Sequence, residues 1–163
     1  MNAAGPPPEV VLHMAARADG VGVVRQALAG MADALAFDAA VLSDMKMAVT
    51  EACTNVVVHA YEEEAGQLEV QMLAGEEDLT IVVRDHGSGI QPRPSRDGPP
   101  ALGLGLPLIA ALSDAFELRG TAGQGTEVRM TFTYDRDGDP AEAHPVTGSL
   151  GADGRWDPGE PPA

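Results

Sequence analysis

The stretch from Ala39 to Tyr61 constrains the fold more than any other part of the chain. Val41, Leu42, Met45, Ala48, Val49, Ala52, Cys53, Val56, Val57 and Ala60 recur at steps of three and four, which predicts one long helix with a wide apolar face. Such a face must be covered, and each large side chain it buries contributes about 1.5–3 kcal/mol. Segments of period two supply the cover. Glu9–Ala15 reads as a first strand. Gln67–Leu73 and Leu79–Arg84 read as a hairpin turned at Gly75 and its acidic neighbours. Phe116–Arg119 and Thr126–Tyr134 form a last pair around a Gly-rich turn. Val21–Leu35 has helical spacing through Val24, Leu28, Met31 and Leu35. Pro107 suits the first turn of a further helix with Leu108, Ile109, Ala111, Leu112 and Ala115 on its apolar side. The expected class is α+β: a two-layer sandwich of a mixed, mostly antiparallel sheet with helices on one face.

A chain of 163 residues fits one domain with a single core and tails. The domain is expected over residues 9–134, after a disordered arm at 1–8. Residues 135–163 carry Gly, Pro and acidic residues with little periodic hydrophobicity, and read as a disordered acidic tail with an exposed Trp156. Aromatic residues make up only 4%, so Val, Leu, Ala and Met must fill the core. The formal charge is −15 and Lys46 is the only lysine. Without a cluster of Lys and Arg, direct binding to nucleic acid or to an anionic membrane is not expected. No apolar run approaches the roughly 18–20 residues that span a bilayer. The Pro-rich start lacks the marks of a signal peptide, and Cys53 alone can make neither an internal disulfide nor a multi-cysteine metal site. These features point to the cytoplasm. In so acidic a chain, any phosphate site must be made locally positive by backbone N–H groups, a metal ion or an arginine.

Three clusters have the residue types for such a site. Glu51, Asn55 and His59 are spaced four apart on the long helix, on one face beside the apolar stripe. Asn offers Mg²⁺ a hard carbonyl oxygen, and Glu one turn earlier can take a proton from an attacking hydroxyl. Asp85-His86-Gly87-Ser88-Gly89-Ile90 follows a strand. A carboxylate there can accept from an exocyclic amine, and Gly87 and Gly89 let the backbone approach a planar ring. Leu102-Gly103-Leu104-Gly105-Leu106-Pro107 leads glycines into a helix N-terminus, whose bare N–H groups bind phosphate without a lysine. It lacks the third glycine of a dinucleotide fingerprint and the Gly-Lys-Ser/Thr ending of a P-loop. Taken singly, these patterns are also those of a solvated helix ridge, an ordinary turn and a plain loop. Their order along the chain, completed by Gly125-Thr126 entering a strand, supplies metal, ring amine, phosphate and a second ring contact for one ligand.

That order resembles the GHKL ATPase fold of gyrase, heat-shock chaperones, histidine kinases and mismatch-repair proteins. Within it, Glu51-Ala52-Cys53-Thr54-Asn55-Val56-Val57-Val58-His59-Ala60-Tyr61 resembles the N-box of the anti-sigma-factor serine kinases. The resemblance covers residues 9–134. It implies ATP and Mg²⁺ as cofactors, Glu51 as general base, Asn55 as the Mg²⁺ ligand and His59 beside it among the nucleotide-binding residues. It further implies Asp85 on the adenine amine, with Gly87, Gly89 and Thr126 shaping that pocket. Gly103 and Gly105 would lie at the phosphates under a lid of residues 91–102. Members of that family bind a sigma factor, phosphorylate a serine or threonine on a small anti-anti-sigma protein, and commonly act as homodimers. The lid here is short and holds Pro92, Pro94, Pro99 and Pro100, with Arg93 and Arg96 in reach of a γ-phosphate. A lid of this kind also suits a second function: a nucleotide-dependent binding module that moves no phosphate.

Overall fold

The computed structural model describes residues 9–60, 66–87, 93–95, 98–101, 105–120, 123–133, 149–150 and 156–157. A five-stranded sheet forms one layer. Its strands are β1 (Glu9–Ala15), β2 (Gln67–Ala74), β3 (Asp78–Asp85), β6 (Ala115–Gly120) and β7 (Thr126–Thr133), in the order β1-β2-β3-β7-β6. Every neighbouring pair is antiparallel, so the parallel component allowed for in the expected mixed sheet is not found among the described residues. The helices α1 (Ala18–Ala34), α2 (Ala39–Asn55) and α3 (Gly105–Leu112) form the other layer. Sequence alternation decides which strand face they cover. Leu68, Val70, Met72, Leu79, Ile81, Val83, Val128, Met130 and Phe132 point inward and pack with Val24, Leu28, Met45, Val49, Ala52, Cys53 and Ile109 in one core. Cys53 belongs to that core. Burial pushes its thiol up to about 12, leaving it an inert apolar filler.

Element ends depart from the sequence reading where local chemistry overrides periodicity. α1 begins three residues early, at Ala18, with Asp19 in its first turn accepting from Gly20 N–H. It ends in a Schellman arrangement: Phe37 N–H donates to the Ala32 carbonyl and Ala36 N–H to that of Asp33. Ala36 accordingly sits at φ 56°, in the left-handed region. The long helix was expected to reach Tyr61, but its α-helical part ends at Asn55. The chain then makes one π turn over Val56–Ala60, and Tyr61 lies outside the described residues. Three consecutive β-branched residues, Val56-Val57-Val58, crowd the regular turn, and the wider ring relieves them.

Two short ladders lie where loop and disorder were expected. In the lid stretch, β4 (Arg93–Ser95) pairs with β5 (Gly98–Ala101), setting Arg93 opposite Ala101 and Ser95 opposite Gly98. Pro94, Pro99 and Pro100 have no N–H to give, which keeps this ladder short. In the acidic tail, β8 (Ser149–Leu150) pairs with β9 (Trp156–Asp157), around an interval containing Gly151 and Gly154. The tail is therefore not wholly unpaired: the register sets Ser149 opposite Asp157 and Leu150 opposite Trp156. The arm at 1–8 and the remainder of 134–163 lie outside the described residues. Among the described residues, no helix is long and apolar enough to cross a membrane.

Candidate functional site

Asp85 is the last residue of β3 and, among the described residues, the one buried charged side chain, only 5% exposed. Strand alternation puts it on the core face, and the register places it between Leu68 of β2 and Thr126 of β7. Its Oδ1 accepts from Gly87 N–H at 2.8 Å, and the Thr126 hydroxyl and backbone N–H also donate to it. Burial raises the carboxyl above its ordinary range. The Gly87 and Thr126 donors and the nearby His86 act the other way without offsetting it. A carboxylate can accept about four hydrogen bonds. With three donors on it, from Gly87 N–H and the Thr126 hydroxyl and N–H, Asp85 keeps capacity for about one more, such as an amine.

Glycines build the walls around it, and their reason differs from the sequence reading. Gly87 was expected to bring backbone close to a planar ring. In the fold, its missing side chain is what lets it seat on the π turn: a Cβ there would overlap the Ala60 carbonyl. Gly125 stands at φ 84°, where a Cβ would overlap the Asp85 carbonyl and crowd the His86 Cα at 2.9 Å. Both glycines thus clamp the end of β3, one against α2's extension and one against the turn into β7. Sequence reasoning named Gly125 and Thr126 together at the entry to a strand, but gave Gly125 no task of its own and did not name Ala60 as part of the frame. A glycine one step before a strand is a weak signal, and Ala60 carries none beyond its small size.

Glu51 and Asn55 lie in the last turn of α2, both half-buried and one helical step apart, as expected. The first residue of α3 closes on them. A Cβ at Gly105 would stand 3.2 Å from Glu51 Oε2, 3.3 Å from Asn55 Nδ2 and 3.5 Å from Asn55 Oδ1. The start of a helix, an acid and a carboxamide therefore share one place. His59 was expected one further step along the same face, and lies past the end of the regular α-helix. Its backbone lies in the π turn, and its side chain is outside the described residues. Gly89 and Gly103 also lie outside the described residues, as do Pro92 and Arg96 of the lid.

These contacts join four separate stretches into one frame. Thr126 and Gly125 meet Asp85, Gly87 meets Ala60, and two turns back Glu51 and Asn55 meet Gly105. The donor chemistry fits the expected ligand. Asn55 offers the oxygen that Mg²⁺ prefers, and the ion habitually completes its six ligands with phosphate oxygens and water. Among the described residues, no group of three His, Cys, Asp or Glu is placed to hold a metal ion. In the first turn of α3, Gly105, Leu106 and Leu108 carry N–H groups and Pro107 has none, and a helix end of this kind can receive a phosphate.

Comparison with known proteins is consistent across sequence and structure. Residues 14–132 match the family model described as the histidine kinase-like ATPase domain. The serine-protein kinase RsbW of Bacillus mycoides (strain KBAB4) is 31% identical over 151 residues, spanning 85% of this chain and 93% of the relative. RsbW of Bacillus cereus (strain Q1) matches at the same identity and coverage. Among solved structures, the crystal structure of the RsbU and RsbW domains of Rv1364c from Mycobacterium tuberculosis superposes with TM-score 0.62 at 22% identity. That match covers 80% of this chain and 34% of the longer one, and shows a shared fold. The histidine kinase domain of the Erythrobacter litoralis EL346 blue-light-activated histidine kinase gives TM-score 0.50 at 18% identity, over 82% of this chain and 70% of that one.

Proposed function

The chain belongs to the histidine-kinase-like ATPase family, on its anti-sigma-factor kinase branch, and on that premise we propose that it binds ATP with Mg²⁺, holds a sigma factor, and phosphorylates a serine or threonine of a small anti-anti-sigma protein. The observation that carries this reading is the seating of Gly105 on Glu51 and Asn55. A phosphate-binding helix end stands over a proton acceptor and a cation ligand, the three parts that phosphoryl transfer to a hydroxyl requires at one point.

Each group then has a defined task. Asp85 accepts from the exocyclic amine of adenine, and Thr126 holds the carboxylate in place. The N–H groups at the start of α3 orient the phosphates. Asn55 Oδ1 is the protein's ligand for Mg²⁺, which when bound neutralises charge on the transferred group. Glu51 takes the proton of the acceptor hydroxyl as its oxygen bonds to the γ-phosphorus and the bond to the β-phosphate oxygen breaks, releasing ADP. Core-packed α2 fixes Glu51 and Asn55, so the base is positioned before the acceptor arrives. A sigma factor as partner would put this activity in the cytoplasm, and a homodimer is one assembly that the resemblance allows.

Glu51→Gln separates binding from chemistry. The variant should bind ATP with Mg²⁺ within about twofold of the parent by calorimetry. It should transfer label from γ-³²P-ATP to a small acceptor protein, captured from the native cell on the ADP-loaded protein, about 10²–10⁴-fold more slowly. Transfer at the parental rate would remove the base role. Nucleotide-dependent capture of partners, with no label moved even by the parent, would establish the binding module instead.

A further inference from the structure

Turning the end of β3 over reveals a second structure behind the site. Arg84 precedes Asp85 and so projects from the opposite, outer face of the sheet. The register places it between Glu69 of β2 and Glu127 of β7. Its Nε donates to Glu127 Oε2 at 2.6 Å and its Nη1 to Glu69 Oε1 at 2.8 Å. Both carboxylates are held from further sides. Gln71 Nε2 donates to Glu69 Oε1 at 3.2 Å and His13 Nδ1 lies 3.6 Å from Glu69 Oε2. Arg129 Nη2 lies 3.7 Å from Glu127 Oε1. The three principal side chains are only 17–26% exposed, so water screens this network less than an ordinary surface pair.

Position gives the network its meaning. Asp85 and Thr126 occupy the last rung of the β3–β7 ladder, and strand ends fray. The Arg84 rung lies one residue before it and ties β2, β3 and β7 together in a single planar fork. Resting on the proposed adenine site, we infer that Arg84 is a positioning residue for base recognition: by bridging Glu69 and Glu127 it fixes the strand ends from which Asp85 and Thr126 meet the adenine amine. It touches no part of the ligand. Its effect is on how well the site tells a purine bearing the amine from one without it, since a misplaced acceptor forfeits that discrimination while leaving phosphate binding in place.

The experiment is calorimetric affinity, with Mg²⁺, for ATP and for purine riboside 5′-triphosphate, which lacks the exocyclic amine. Full-length parent, Arg84→Met and Arg84→Lys are compared, each at a temperature well below its own melting midpoint. The parent should favour ATP strongly. Arg84→Met should lower the ratio of the two affinities by about tenfold, within the range that a displacement near 1 Å produces. Affinity for the amine-free triphosphate should change little. Arg84→Lys keeps the charge and the apolar stem but cannot bridge two carboxylates in fixed geometry, and should fall between them. A merely structural arginine would lower the melting midpoint and leave the ratio untouched; an unchanged ratio in folded Arg84→Met overturns the inference. A parent that binds neither triphosphate overturns the adenine site itself, and this inference with it.

Discussion

Two adjacent rungs of the same sheet hold acids in opposite ways. On the outer face, Glu127 loses solvation, which works to raise its pKa, but the hydrogen bond and charge of Arg84, with Arg129 and Arg119, more than offset this and leave it lowered. On the inner face, Asp85 is desolvated further, its donors from Gly87 and Thr126 are neutral, and neither they nor the charge interaction with His86 offset the burial, so its pKa stays raised. The first arrangement stabilises the fold, because pairing occurs in the native state and not in the unfolded chain. The second costs stability and keeps an acceptor available. A buried acid without an arginine bridging it is a poor structural element and a good recognition element.

The largest test of this contrast is Asp85→Asn. The amide oxygen can accept two of the three donors from Gly87 and Thr126, and removing the buried charge offsets the loss of the third, so the fold persists, but the amide's other arm is a donor and repels an amine. Affinity for ATP should fall by on the order of 10²-fold or more in calorimetry. Stability should stay equal or rise. The sign follows from linkage: Asp85's folded pKa lies above its unfolded value, so its ionisation removes stability as pH rises from the unfolded carboxylate range, near 4, through the folded pKa. Asp85→Asn should therefore gain on the parent across that window and hold the gain above it. A variant that unfolds more readily at neutral pH would break the comparison at the inner rung.

Glu127→Gln tests the outer rung, with a smaller effect of the reverse sign. Its folded pKa lies below its unfolded value, so the stability it contributes is present above the unfolded value and is lost as pH falls through the folded pKa. Urea midpoints should show the variant less stable at pH 7 by about 1 kcal/mol, screening having reduced the full value, with the gap closing toward pH 3. A gap that stays constant with pH would mean that Glu127 acts through packing.

Which parts of this were legible in the sequence follows from range. Periodicity is local, so the stripe of α2, the alternation of β2 and β3 and the i, i+4 pair Glu51–Asn55 could be read directly. The order of the site's segments along the chain carried the rest of the expectation. Long-range register could not be read. Nothing in residues 67–85 or 126–133 alone says that Arg84 meets Glu69 on one side and Glu127 on the other. The same holds for the glycines. Gly87, Gly105 and Gly125 were conspicuous, but the atoms they make room for, in Ala60, Glu51, Asn55 and Asp85, belong to distant stretches. The π turn was hidden because three valines fit an apolar helical stripe as well as they disfavour its regular winding.

The smallest effect comes from a residue outside both rungs, and it tests whether stability alone moves binding. Ala36 occupies the left-handed position that ends α1, with the flanking hydrogen bonds of Phe37 and Ala36 in place and φ at 56°. A Cβ is strained there, and glycine removes that strain at the cost of extra freedom in the unfolded chain. Ala36→Gly should raise stability by about 0.5–1 kcal/mol, read as a higher urea midpoint with unchanged slope. The gain should be the same at pH 4 and pH 7, because no titratable group changes. ATP affinity should also be unchanged, since α1 ends far along the chain from Asp85, Gly105 and the strand ends that hold them. If affinity rose with stability, the behaviour of Asp85→Asn and Arg84→Met would have to be reread as a response of the whole fold. If it does not, binding depends on where β3 ends, and the two rungs are separate devices built on adjacent residues.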